Sequence, residues 1–163
     1  MSISENFTPE EWARVVAAPM VAGIAVTAAD PGGLWGALKE SASVAGALRA
    51  AKTDAADNAL IEAVTTTYES SEGRGMARDA LKDATQGKKP QEIVTTAVAE
   101  LKAVGDLATS KAPEAAAGYR AWLRGIAGNV AEAGTEGGFM GFGGVKVSEA
   151  EAATLSEIDA ALA

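Results

Sequence analysis

Apolar residues recur every three or four positions along most of the chain, which is the spacing of one face of an α-helix. Three such stretches begin at Pro9, Pro90 and Pro113, and proline is favoured at the first position of a helix. The whole pattern predicts helices that begin at Pro9, near Leu34, after Thr53 or Asp54, at Met76, at Pro90, at Pro113 and after Ser148.

Capping signals support the first and the last of these helices. Thr8 is followed three residues later by Glu11, and Ser148 is followed in the same way by Glu151. This is the pattern of a capping box, in which the hydroxyl and the carboxylate each accept a hydrogen bond from the other residue's backbone N–H. Both helices should therefore begin directly after the hydroxyl residue.

Proline and glycine predict where helices bend or end. Pro19 lies inside the first helix and should kink it about one turn earlier, and the run Asp30–Gly33 should end it. We predict a loop over Ser71–Gly75, Gly87 as the C-cap of the fourth helix, and a glycine-rich loop over Gly134–Gly144.

The composition favours a helical fold with closely packed elements. Alanine supplies 38 of the 163 residues, and aromatic residues supply only 5%. Alanine is the best helix former but buries little apolar area, so the helices must approach closely or gain a partner. Gly118, Gly125 and Gly128 offer such small positions on the sixth predicted helix. We predict an all-α fold, a single Ala-rich helical bundle of about seven helices, in one domain over residues 1–163.

Two glycine turns resemble each other. The order Gly-Gly, two large apolar residues and Gly occurs at Gly32–Gly36 and again at Gly137–Gly141. Each copy follows a long Ala-rich helix and precedes another helix. One interpretation is two pseudo-symmetric helix-loop-helix units, and the other is a chance match in a glycine-rich chain.

Missing residue types and the charge balance exclude several kinds of chemistry. The chain has neither cysteine nor histidine, which excludes thiol or imidazole catalysis, disulfides and the usual zinc sites. Its net charge is −8, and an acidic chain is a poor nucleic-acid binder because phosphate contacts need clustered Lys and Arg. The basic residues concentrate around the fourth predicted helix, at Arg74, Arg78, Lys82, Lys88 and Lys89. This cluster is either a solvated face or a contact for an acidic partner.

The N-terminal region lacks the pattern of a membrane or export segment. The longest uncharged run is Val15–Ala29, and its 15 residues fall short of the roughly 18–20 that span a bilayer. Pro19 and Gly23 interrupt the run, and three glutamates precede it against the single basic residue Arg14. We therefore predict no transmembrane segment and a cytoplasmic location.

The second glycine turn carries the candidate interaction residues. Phe139, Met140 and Phe142 either tuck into the core while the glycines allow the turns, or form an apolar tip that docks on a partner or a membrane surface. A further alternative is an anion at the N-terminus of the helix that follows Ser148. Trp35 occupies the corresponding place in the first glycine turn and completes the predicted interaction loop.

Carboxylates near the two glycine turns are the candidate metal ligands. Asp30 with Glu40 forms one group, and Glu132 and Glu136 with Glu149 and Glu151 form the other. Several oxygens around one point are what a hard divalent cation requires. The alternative is that these carboxylates cap helices and face solvent. No cofactor is predicted beyond such a cation.

The chain ends carry a resemblance to a known family. The segments concerned are Ala28-Ala29-Asp30-Pro31-Gly32-Gly33, Ala133-Gly134-Thr135-Glu136-Gly137 and Val147-Ser148-Glu149-Ala150-Glu151. They resemble the helix-loop-helix units of the tellurite-resistance TerB-like family. The resemblance implies an all-helical, cytoplasmic protein linked to stress responses and to metal ions.

The sequence leaves three classes of function open. The first is a non-enzymatic, partner-binding or self-associating helical protein with a role in stress. The alternative is a helical bundle that binds a metal or a small ligand through the carboxylates near the glycine turns. An enzyme restricted to Asp, Glu, Lys, Tyr and Ser is the third and weakest option.

Overall fold

The computed structural model describes residues 2–30, 44–51, 57–135 and 147–163. A 3-10 turn, Ile3–Asn6, precedes the helices. The helices are α1 (Pro9–Ala29), α2, of which residues 44–51 are described, α3 (Ala59–Thr67), α4 (Ser71–Thr85), α5 (Pro90–Lys111), α6 (Pro113–Thr135) and α7 (Glu149–Ala161). The start of α2 predicted near Leu34 lies outside the described residues. No strand occurs in these ranges, and the prediction of an all-α bundle of about seven helices is confirmed.

Helix α1 lies at the centre of the bundle. It contacts α3, α4, α5, α6 and α7, and its residues Val15 and Val16 are completely buried. In the part of the chain that the structure describes, α1 is the one helix long and apolar enough to cross a membrane, with a mean hydropathy of 1.5. Two thirds of that stretch (67%) is buried inside the bundle, which is typical of a core helix. The 15-residue uncharged run Val15–Ala29 is therefore shorter than the apolar helix that contains it.

Both predicted capping boxes are present. The hydroxyl of Thr8 accepts the N–H of Glu11, and the carboxylate of Glu11 accepts the N–H of Thr8 at 2.8 Å. The same reciprocal pair joins Ser148 and Glu151 at the start of α7. The hydrogen bond from Thr8 is the main cause that lowers the pKa of the Glu11 carboxyl. Glu11 also pairs with Lys111 at 3.2 Å, which ties α1 to α5.

Two predicted boundaries around α3 and α4 are wrong. The N-cap of α3 is Asn58 and not Thr53 or Asp54, because its side-chain oxygen accepts the N–H groups of Leu60 and Ile61. Its amide also donates to the carbonyl of Ala115 at 2.9 Å, so one side chain links α3 to α6.

The segment Ser71–Gly75, predicted as a loop, is the first turn of α4. The hydroxyl of Ser70 accepts the N–H of Gly73 at 2.9 Å and caps the helix there. A Cβ at Gly73 would lie 2.0 Å from the carbonyl oxygen of Thr67, so the glycine permits a tight α3–α4 junction. At the other end of α4 the C-cap is Gln86 and not Gly87, which follows it with a φ of 74°, the left-handed conformation common directly after a helix C-cap.

Of the three glycines Gly118, Gly125 and Gly128 on α6, one lies close to another described residue. A Cβ at Gly118 would meet the side-chain nitrogen of Asn58 at 2.5 Å, so α3 and α6 approach closely there. At Gly125 and Gly128 the described residues leave open space around the same position. Close packing through small residues therefore holds at the N-terminal half of this face.

The glycine turns of the suggested repeat, Gly32–Gly36 and Gly137–Gly141, lie outside the described residues. The pseudo-symmetric arrangement of two units stays a prediction.

Candidate ligand-binding groove

A groove of about 450 Å³ opens on one side of the bundle, where α1, α2 and α4 meet the end of α3. Its volume lies within the usual range for small-molecule sites. The lining residues are Met20, Val44, Ala45, Leu48, Tyr68, Arg74, Arg78 and Leu81. We call this space the groove.

Most of the groove wall is aliphatic. Met20 comes from α1, Leu48 from α2 and Leu81 from α4, and each of these side chains is half-buried. Apolar surface that stays accessible in a concave site favours a ligand that can cover it. The wall therefore suits an apolar molecule or the apolar part of one.

Arg74 is held in place at the rim of the groove. Its Nη1 donates to the carbonyl oxygens of Tyr68 and Glu69, at 2.8 and 2.9 Å, and its Nη2 donates to the hydroxyl of Ser71. The guanidinium thus satisfies carbonyls at the C-terminal end of α3, where a positive charge is also favoured by the helix dipole. Three of its hydrogen-bonding positions are used inside the protein.

Arg78, one turn further along α4, is engaged much less. Its side chain is exposed, and its Nε donates to the carbonyl of Arg74 at 3.3 Å. Among the described residues, no carboxylate forms an ion pair with it. The two terminal nitrogens of its guanidinium are therefore available for a ligand in the groove.

Helix α4 separates its charges onto two sides. Arg74 and Arg78 line the groove, whereas Asp79 and Asp83 line a second cavity that α4 forms with α1 and α5. No acidic side chain is among the described residues of the groove wall. The described part of the groove wall is thus positively charged, on a chain whose net charge is −8.

Tyr68 connects the groove to the core. Its hydroxyl donates to the carbonyl of Val16 in α1 at 2.8 Å. Burial raises the pKa of this hydroxyl well above its usual range, so the side chain is a neutral donor at pH 7. Tyr68 supplies both part of the groove wall and a polar contact to the central helix.

The other tyrosine of the chain makes the neighbouring contact. Pro19 has no N–H, so the carbonyl of Val15 lacks its helical donor. The hydroxyl of Tyr119, completely buried in α6, donates to that carbonyl at 2.7 Å. Burial raises the pKa of Tyr119 well above its usual range too. Sequence reasoning missed this pairing, although a proline inside a helix is a signal that one carbonyl needs another donor.

The candidate metal ligands have other roles where the structure describes them. Asp30 is the C-cap residue of α1, Glu149 is exposed in the first turn of α7, and Glu151 is buried as the cap partner of Ser148. The described residues contain no group of three or more carboxylates that could hold an ion.

The remaining candidates, Glu40, Glu136, Trp35, Phe139, Met140 and Phe142, lie outside the described residues. Both the divalent-cation site and the interaction loop stay predictions.

Comparison with known proteins finds no relative. No protein-family model matches the chain, and no curated protein or solved structure matches it either. The resemblance to the TerB-like family stays a prediction from the two chain ends.

Proposed function

We propose that this chain is a non-enzymatic helical binding protein that holds a small, largely apolar ligand in the groove. The observation that carries the proposal is the groove itself, a space of about 450 Å³ with an aliphatic wall and two arginines at its rim. Covering such a wall stabilises a complex by about 25 cal/mol for each Å² of apolar surface removed from water.

The side chains around the groove support binding rather than catalysis. Histidine and cysteine are absent from the chain. The hydroxyl of Tyr68 is used by a backbone carbonyl, and its raised pKa makes it a poor acid or base near neutral pH. The N–H groups of Arg74 and Arg78 serve to bind or orient a ligand.

The sequence also favours a small ligand as one alternative, but at a different site. It assigns that ligand to carboxylates near the glycine turns, whereas the charged residues of the groove are two arginines. A protein partner, self-association, a stress-related role and a cytoplasmic location stay predictions.

A fluorescence titration tests the proposal. The neutral probe 1-aminoanthracene should brighten when it enters the groove of the wild-type protein. Ala45→Trp should abolish the enhancement, because Ala45 is a half-buried groove residue and the indole fills the space. The matched control is Ala153→Trp, on the exposed side of α7, which should bind the probe as the wild type does.

Circular dichroism of both variants establishes that they keep their helices. No probe binding to the wild type, or equal binding to Ala45→Trp, would refute the proposal. A native mass spectrum adds one further outcome. A dimer that Ala45→Trp dissociates would replace the small ligand by a second copy of the chain.

A further inference from the structure

We infer that the ligand of the groove is an apolar chain with a single carboxylate head group, of the class of medium-chain fatty acids. Arg78 binds the carboxylate, and the aliphatic wall covers the chain. This inference rests on the proposed function and specifies its ligand.

The positive charge of the groove favours a negatively charged ligand. Arg74 and Arg78 are one helical turn apart, a spacing at which like charges repel each other. No described residue of the wall is acidic, so the described part of the wall does not offset this repulsion. An anion between the α4 rim and the wall relieves it, whereas a cation increases it.

The number of available donors favours one carboxylate over a larger anion. Arg74 already donates three hydrogen bonds within the protein, to Tyr68, Glu69 and Ser71. Arg78 uses only its Nε, on the carbonyl of Arg74. Its two terminal nitrogens can donate to the two oxygens of one carboxylate. A diphosphate has more oxygens than this one guanidinium can satisfy.

The wall has the chemistry that an aliphatic chain requires. Met20, Leu48 and Leu81 contribute three unbranched or γ-branched side chains from three helices. The thioether of Met20 is flexible and adapts its shape to different chains. Tyr68 cannot compete for the carboxylate as a strong donor, because its hydroxyl is already bonded to Val16. The head group is therefore directed to α4 and the chain to α1 and α2.

Isothermal titration with two probes of equal length tests the inference. Dodecanoate carries the carboxylate, and dodecanol is its neutral counterpart. The wild-type protein should bind dodecanoate more tightly. Arg78→Gln should weaken dodecanoate binding by about tenfold to a hundredfold, the usual loss for a hydrogen-bonded charge, and leave dodecanol binding unchanged.

Lys82→Gln is the matched control, because it removes the same charge one turn later from an exposed residue outside the groove wall. It should change dodecanoate binding by less than about twofold. Arg78→Lys should recover only part of the affinity, since an ammonium keeps the charge but lacks the paired donors of the guanidinium.

The outcomes separate this inference from the proposed function. Equal binding of the two probes, with no effect of Arg78→Gln, would overturn the carboxylate assignment and leave an apolar groove. An equal loss in Arg78→Gln and Lys82→Gln would overturn it as well, because general charge attraction would then explain the preference. Binding of neither probe to the wild type would refute the inference, and it would refute the proposed function as well if 1-aminoanthracene also fails to bind.

Discussion

Pro19 creates a need for hydrogen-bond donors from outside the helix near the middle of α1. A proline in a buried helix leaves the carbonyl four residues earlier without a donor, and a buried acceptor without a partner is costly. Tyr119 donates to that carbonyl, on Val15, and Tyr68 donates to the next one, on Val16. The sequence predicts that Pro19 interrupts α1, but it does not predict that Tyr119 donates to the carbonyl of Val15. The two residues are 104 positions apart in the chain.

Tyr119→Phe should lower the free energy of unfolding by about 1–3 kcal/mol, the usual cost of an orphaned buried carbonyl. The loss should be smaller in a Pro19→Ala background, because the alanine introduced there has a backbone N–H that can serve the carbonyl of Val15. Urea denaturation of the four proteins in this double-mutant cycle measures the difference. An equal loss in both backgrounds would contradict the role assigned to the hydroxyl.

At the scale of helices, the sequence predicts starts that carry a local capping box better than starts that depend on packing against another helix. Caps are local signals, and the capping boxes at Thr8 and Ser148 were readable from residues three positions apart. The start of α4 was not, because Gly73 and Gly75 have the composition of a loop. Gly73 is inside the helix for a reason that only packing reveals, its close approach to Thr67 of α3.

The two glycines of this first turn should respond in opposite ways to alanine. Gly73→Ala should destabilise the protein by about 1–3 kcal/mol, because its Cβ would lie 2.0 Å from the backbone oxygen of Thr67. Gly75→Ala has open space around the new methyl group and should stabilise α4 by about 0.5–1 kcal/mol. Thermal unfolding followed by circular dichroism measures both. If Gly73→Ala is as stable as Gly75→Ala, Gly73 does not lie in close contact with Thr67 and the α3–α4 junction is looser than the structure shows.

At the scale of the whole molecule, the candidate site arises from packing between distant helices. The sequence shows the cluster of basic residues on the fourth predicted helix, and the pattern predicts a solvated face or a contact for an acidic partner. Nothing local indicates that Arg74 and Arg78 border the same space as Met20 and Leu48. Three helices must assemble before these residues form one groove, which is why the sequence assigned the ligand to the carboxylates instead.

The two tyrosines make the stability of the whole bundle sensitive to alkaline pH. Their ordinary pKa is 10.0, and burial is the largest cause that raises it in the folded protein. The unfolded chain therefore loses these hydroxyl protons at a lower pH than the folded protein does. The stabilising contribution is complete below pH 10 and is lost as the pH rises above it.

A spectroscopic pH titration should show one joint transition above pH 10. Tyrosinate absorbance and the loss of helical circular dichroism should change together, because Tyr68 and Tyr119 are the only tyrosines of the chain. Tyrosinate that appears near pH 10 with the helices intact would contradict the buried, hydrogen-bonded state of both hydroxyls.

The hydroxyl contacts on Val15 and Val16 also fix the register of α1 within an alanine-rich environment. Faces made of alanine look alike from one turn to the next, so their shape discriminates weakly between a correct and a shifted alignment. A slide of one residue moves a helix by about 1.5 Å and turns its carbonyls by about 100°. Such a slide would separate both hydroxyls from their acceptors at once, so two tyrosines on different helices select a single alignment of the central helix.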